Sequence, residues 1–272
     1  MLFQPIVERR RRAEGLRWQA VGAEALVRAH SGHGTTLRPD KLLPLVQKAG
    51  LMHRLFLFVL AEGLAAVRQW DRCGVSVNLS VNLHVGALLD DAFPRFLSGL
   101  LDAADFDPRR LTLELTESSP IADLKHASTN LKALRREGVQ FALDDFGAGF
   151  STTTRLAWLE CDELKIDKAL VYGLEHCEEQ RCIVEGLVQL AHSHGMKACA
   201  EGVETEAVLQ LLGTYGCDRV QGFHVARPMP ASEITPFARQ WGAEVAACTV
   251  ADDQLCLPGF CRGTPVPRPV EA

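Results

Sequence analysis

Eight side chains suited to hydrolytic chemistry fall at the ends of separate β-type runs: Glu24, Asn78, Glu114, Asp144, Asp145, Lys165, Glu201 and Gln221. Five of them are carboxylates. Like charges at short range raise one another's pKa, so acids gathered in a half-buried mouth must take up protons or hold cations. Oxygen donors with one amide, and neither thiol nor imidazole, suit hard divalent ions, favouring Mg²⁺ or Mn²⁺ over Zn²⁺ or Cu²⁺. In the adjacent pair Asp144-Asp145, one carboxylate can bridge two ions while the next binds only the second. Lys165 has a competing reading as a Schiff-base lysine. Among so many acids it keeps a raised pKa, which is wrong for an amine nucleophile.

These side chains need a scaffold that gathers strand ends. The chain has 272 residues, 47% hydrophobic and 23% charged, a globular mixture that excludes wholesale disorder and fibrous architectures. β-type runs at 2–7, 22–27, 75–80, 111–116, 140–144, 163–166, 197–201 and 219–221 give the eight strands that close an α/β barrel. Helical stretches at 41–48, 55–70, 88–102, 124–136, 180–194 and 204–215 fill the gaps. In Val75-Ser76-Val77-Asn78-Leu79-Ser80 and Leu111-Thr112-Leu113-Glu114-Leu115-Thr116 the aliphatics take one face and the polar groups the other. The polar face is expected to point into the barrel, whose strands carry active sites at their carboxyl ends.

Taken with their order, the motifs resemble those of EAL-domain cyclic-di-GMP phosphodiesterases. Glu24-Ala25-Leu26 followed by Val27-Arg28 matches the signature. Phe3-Gln4-Pro5-Ile6, Val77-Asn78-Leu79-Ser80, Glu114-Leu115-Thr116-Glu117-Ser118, Asp144-Asp145-Phe146-Gly147-Ala148-Gly149, Leu164-Lys165-Ile166-Asp167, Glu201-Gly202-Val203-Glu204-Thr205 and Gln221-Gly222 match the rest, across roughly residues 2–235. The resemblance implies a TIM-like (β/α)8 barrel with an antiparallel first strand, and hydrolysis of cyclic di-GMP to linear pGpG. It implies that Glu24, Asn78, Glu114 and Asp144 bind a first Mg²⁺ or Mn²⁺, and that Asp144, Asp145 and Glu201 bind a second. Lys165 would hold the nucleophilic water or the phosphorane charge, and Gln221 would position water or a ligand. Glu201 has also been cast as a general base, but two metals that ready a water make ligation its stronger role. Glu117 would anchor the loop beginning at Asp145, and Gln4 and Arg28 would contact the dinucleotide. Calcium is expected to inhibit, and a homodimer is expected. Ala29, Leu83, Ala148, Phe150 and Thr153 depart from the usual family residues. The second function considered, a non-catalytic nucleotide receptor or protein-binding adaptor, is disfavoured because no ligand position is lost.

Net charge is −5, which argues against binding duplex nucleic acid by broad attraction. The strongest apolar run, 55–61, ends at Glu62, far short of the roughly 20 residues that span a bilayer, and Met1-Leu2-Phe3-Gln4-Pro5, with no basic segment before an apolar one, is not expected to be a signal peptide. Nine scattered cysteines, including Cys256 and Cys261, read as reduced thiols of a cytoplasmic protein. Arg9-Arg10-Arg11-Arg12 reads as a solvated hairpin turn. Residues 1–240 are expected to form the phosphodiesterase domain and 241–272, with Pro258, Pro265, Pro267 and Pro269, a mobile tail. Because Phe3 already belongs to the first strand, no sensory domain is expected ahead of it, so any input would come through oligomerisation, the tail or a separate protein.

Overall fold

Alternation of side chains along each strand sets the architecture. In β6 (Leu111–Thr116), Leu111, Leu113 and Leu115 are buried against the helical layer, while Thr112 and Glu114 on the opposite face are buried in the lumen. The computed structural model describes residues 1–12, 15–30, 36–37, 39–116, 123–147 and 159–244.

Eight strands close the barrel. They are β1 (Leu2–Arg12), β2 (Gly15–Leu26), β5 (Asn78–Asn82), β6, β7 (Gln140–Phe146), β8 (Glu163–Ile166), β9 (Lys197–Ala200) and β10 (Arg219–Val220). β1 runs antiparallel to both its neighbours, β2 and β10, and every other neighbouring pair in the ring is parallel. The expected barrel with its reversed first strand is therefore present. A two-stranded ribbon, β3 (Ala29–His30) with β4 (Thr36–Leu37), lies outside the ring.

The helical layer comprises α1 (Pro39–Lys48), α2 (Met52–Arg72), α3 (Phe93–Ala103), α4 (Leu124–Arg136), α5 (Lys168–Val171), α6 (Glu178–Ser193), α7 (Glu206–Tyr215) and α8 (Ala231–Gln240). Asp123 and Thr205 cap α4 and α7 by accepting from His126 N and Val208 N. The stretch expected as one helix over 88–102 divides into a 3₁₀ turn, Val85–Leu89, and α3, which begins at Phe93-Pro94, where proline's missing N–H is harmless. Trp70 ties α2 to its surroundings, with its ring 5.2 Å from Phe3 edge-on and its Nε1 donating to Ala231 O at 2.8 Å.

Three expectations are corrected. The third strand begins and ends later than 75–80, at Asn78–Asn82. Arg9 to Arg12 form no turn; they continue β1, paired opposite Trp18, Arg17, Leu16 and Gly15. Backbone pairing also runs past 240, since Ala20 N–H donates to Trp241 O at 3.1 Å and Ser76 N–H to Glu244 O at 2.9 Å. The tail beyond Glu244, with Cys256 and Cys261, lies outside the described residues. The six described cysteines are all free. No helix among the described residues is long and apolar enough to cross a membrane.

Below the mouth, the lumen is filled by an ionic cluster. Arg219 Nε donates to Glu8 Oε2 at 2.8 Å and Arg219 Nη1 pairs with Glu163, while Lys197 Nζ reaches Glu8 Oε2 at 3.0 Å.

Candidate active site

At the carboxyl end of the barrel, the fully buried Lys165 ammonium sits among four carboxylates. Its Nζ lies 2.6 Å from Glu114 Oε2, 2.6 Å from Glu201 Oε1, 3.0 Å from Asp144 Oδ1 and 3.7 Å from Glu24 Oε2. Each acid arrives from its own segment: Glu24 from β2, Glu114 from β6, Asp144 from β7 and Glu201 from just beyond β9. Burial alone would lower the lysine's pKa, but Asp144, Glu114, Glu201 and Glu24 together hold it well above its usual value. It is a fixed cation.

The acids carry the opposite strain. Burial, and then the neighbouring Glu24 charge, pushes the Glu114 carboxyl well above the usual range despite Lys165. Burial likewise raises Glu201 to about 8 against the pull of Lys165. Asp145 rises to about 6, through burial first and the Asp144 charge second. Among the described residues, three oxygens of this site are buried without a hydrogen-bond donor: Glu114 Oε1, Gln221 Oε1, and Asp144 Oδ1, whose contact with Lys165 lacks hydrogen-bond geometry. Such orphaned acceptors are costly unless a cation meets them.

Asp144 and Asp145 point to the same region because β7 bulges. Leu143 pairs with Leu164 and Phe146 with Ile166, so two residues on β7 stand opposite Lys165 alone, and Asp145 takes a left-handed φ of 56°. A bulge re-aims a side chain that plain alternation would send away. One carboxylate oxygen each from Asp144, Asp145 and Glu201 lies within 4.8 Å of the others, a spacing that can hold a divalent ion.

Glu24 is steered from both sides. Its Oε2 accepts from Gln221 Nε2 at 2.8 Å, and its Oε1 accepts from Asn82 Nδ2 at 2.8 Å. Gln221 Nε2 also donates to Gln4 Oε1 at 3.1 Å, and Gln4 Nε2 donates to Ala226 O at 3.2 Å. Asn78, expected in this role, lies at the other end of β5, paired opposite Gly22, whereas Asn82 at the carboxyl end pairs opposite Glu114. The signal for Asn82 lay in the near-repeat Val77-Asn78-Leu79-Ser80, Val81-Asn82-Leu83-His84, which offers two asparagines four residues apart. With Asn82 in place of Asn78, the family position matched to Leu83 moves four residues on, to Ala87.

Arg28 stands in the wall of the same cavity, of about 760 Å³, its Nη1 donating to Val27 O at 2.8 Å. Lys168 and Phe223, which the sequence reading passed over, line it as well. Its other side is apolar, formed by Leu43, Met52, Leu55 and Phe56. Glu117 and residues 148–158 of the loop after Asp145 lie outside the described residues.

The raised carboxyls give a pH signature. Below about pH 8 the metal-free chain keeps protons on Glu201 that its unfolded form has lost. Stability without metal should therefore fall as pH rises from 5.5 to 8, and Mn²⁺ uptake at pH 7 should release on the order of one proton per chain. Melting in EDTA at both pH values, and titration calorimetry in buffers of different ionisation heat, test this. No proton release would refute the assigned ionisation.

Among known proteins, the chain is 36% identical over 216 residues to the bifunctional diguanylate cyclase/cyclic di-GMP phosphodiesterase MucR of Pseudomonas aeruginosa, covering 79% of this chain and 31% of that protein. It is 32% identical over 238 residues to the probable cyclic di-GMP phosphodiesterase PdeB of Escherichia coli, covering 88% and 44%. The chain thus spans less than half of these curated relatives. Among solved structures, the PaMucR phosphodiesterase in complex with c-di-GMP superposes with a TM-score of 0.75 at 34% identity, over 86% of this chain and 92% of that one. The EAL domain of Mycobacterium smegmatis DcpA gives 0.70 at 28% identity, over 88% and 95%. The family described as EAL domain matches residues 1–228, and with the barrel, the reversed first strand and the acid-ringed lysine in place, the chain belongs to that family.

Proposed function

We propose that the chain is a metal-dependent phosphodiesterase that hydrolyses cyclic di-GMP to linear pGpG. The observation that carries this reading is the ring of four carboxylates around Lys165, three of which, Glu24, Asp144 and Glu201, line a cavity large enough for a small-molecule ligand. The donors are hard oxygens, which fit Mg²⁺ or Mn²⁺. Glu24, Asn82, Glu114 and Asp144 would hold one ion, and Asp144, Asp145 and Glu201 the other. When bound, such ions neutralise phosphodiester charge and make a water nucleophilic near neutral pH.

The chain's own groups do the rest. Lys165, held in its charged form by the surrounding acids, would supply positive charge where negative charge grows on the phosphorus oxygens. Gln221 and Asn82 fix the Glu24 carboxylate from opposite sides, and Gln4 braces Gln221. Arg28 and Gln4, which line the cavity wall, would contact the dinucleotide. Glu117 is assigned to anchoring the loop after Asp145. A homodimer, a cytoplasmic location and a separate sensory protein belong to the same proposal.

The test is incubation of purified protein with cyclic di-GMP and Mn²⁺, with chromatography for pGpG. Product is expected, and excess Ca²⁺ should suppress it because longer, looser coordination does not hold water and phosphate in line. Binding without product would instead favour the adaptor reading. Within this assay, Asn82→Ala should lower turnover by about 10–100-fold, the usual range for groups that hold or orient a metal's ligands. Asn78→Ala, at the far end of the strand, should change it less than about threefold. The reverse order would return the ligand role to Asn78.

A further inference from the structure

His84 lies just beyond the end of β5, where it caps the 3₁₀ turn Val85–Leu89. Its Nδ1 accepts from Gly86 N at 3.2 Å, which makes Nδ1 the acceptor and leaves the ring hydrogen on Nε2. The ring rests directly on Gly86: a Cβ there would lie 2.9 Å from both Cε1 and Nδ1, so only glycine leaves this room. Nε2 has no partner among the described residues. The ring is therefore oriented by the backbone, yet its one donor is unused.

The position of this donor gives it a use. His84, with Met52, Phe56 and Leu83, lines both the acidic cavity and an adjoining one of about 340 Å³. These four side chains form the partition between the two spaces. A cyclic dinucleotide whose phosphodiester lies over the acids must send its bases outward along the apolar wall, and this partition is part of that wall. Guanine presents two acceptors, N7 and O6, along one edge, whereas adenine replaces O6 by an amino donor. An N–H held in place, flanked by Phe56 and Met52 for the base face, matches guanine better than adenine.

We infer that His84 is a specificity-determining residue of the site, which donates from Nε2 to a guanine edge at the junction of the two cavities. The inference rests on the phosphodiesterase reading. His84→Asn keeps a side-chain acceptor for Gly86 N–H and removes the ring. It should melt as the wild type does, keep kcat within about twofold, and raise KM for cyclic di-GMP about tenfold, the effect of one hydrogen bond to a buried base. Discrimination against cyclic di-AMP should fall with it. Gly86→Ala, which displaces the ring without deleting it, should shift KM in the same direction. Calorimetric titration of cyclic di-GMP into EDTA-treated protein reads the same loss without turnover. Unchanged KM, binding and base selectivity in both variants, while wild type binds and hydrolyses normally, would overturn the role of His84 alone. A wild-type protein that neither binds nor cleaves the dinucleotide would take down both readings.

Discussion

Lys165→Met is expected to slow cyclic di-GMP hydrolysis by about 10²–10³-fold and to destabilise the metal-free protein by about 3–5 kcal/mol at pH 8. The first effect follows from losing a positive charge where the transition state builds a negative one. The second follows from geometry: Glu114, Glu201 and Asp144 each have an oxygen within 3.0 Å of the ammonium, and none of these acids pairs with another cation among the described residues. Without it the acids must pull protons from solvent, and the carboxyls of Glu114 and Glu201, already raised by burial, climb further. The sign is then fixed. The variant's deficit should be largest at high pH, shrink towards pH 5.5 as the carboxyls protonate, and shrink again when Mn²⁺ is added. Denaturant titration at the two pH values, with and without Mn²⁺, measures this. A deficit independent of both pH and metal would mean that Lys165 acts by packing rather than by charge.

Gly222→Ala is the second large effect, expected to remove at least about 3 kcal/mol of stability, enough to deplete the folded form of an ordinary domain. A Cβ at this position would stand 2.2 Å from both the nitrogen and the oxygen of Val203. Those are backbone atoms already fixed in place, since Val203 N donates to Gln221 O at 3.1 Å and His224 N donates to Val203 O at 2.9 Å. Neither can step aside as a flexible side chain could. Any relaxation moves Gln221, which holds Glu24, so residual folded protein should also lose turnover. Gly213→Ala in α7 provides the contrast: nothing lies within 4 Å of its Cβ position, and a helical alanine there should gain about 0.5–1 kcal/mol. Thermal melts of the two variants separate steric from conformational causes. Equal stability for both would contradict the close approach at Val203.

Much of this was legible in the chain because barrel strands write their two faces as alternation. Glu114 and Lys165 follow that rule, and Asp144 stands at the expected end of its run. The rule fails where register is ambiguous, as at β5, where two Val-Asn-Leu repeats four residues apart satisfy the same alternation and only neighbouring strands decide which asparagine meets Glu24. It also fails at irregular backbone: nothing local announces that β7 bulges at Asp144-Asp145, because the cause is pairing with β8. The arginine run misled for a similar reason. Four consecutive charges look like a turn, yet Trp18 and Leu16 on the opposite strand extend the ladder past the barrel rim. α8, an amphipathic helix with Pro236 inside it, was not among the expected helices. His84 carried no motif at all; its interest arises only from what surrounds it.

The reversed first strand has a mechanical consequence. Closure of the hoop depends on β10, which contributes only Arg219 and Val220, matched to Glu8 and Val7. So short a seam is the place where the ring is most easily unzipped, and the Glu8–Arg219 ion pair and the Arg9 N to Asp218 O bond help keep it shut. Gln4 and Gln221 grip one another across that same seam. Breathing of the joint, read as faster deuterium uptake along β1 and β10, therefore loosens the hold on Glu24, so the durability of the hoop and the sharpness of the catalytic geometry are governed by a single latch.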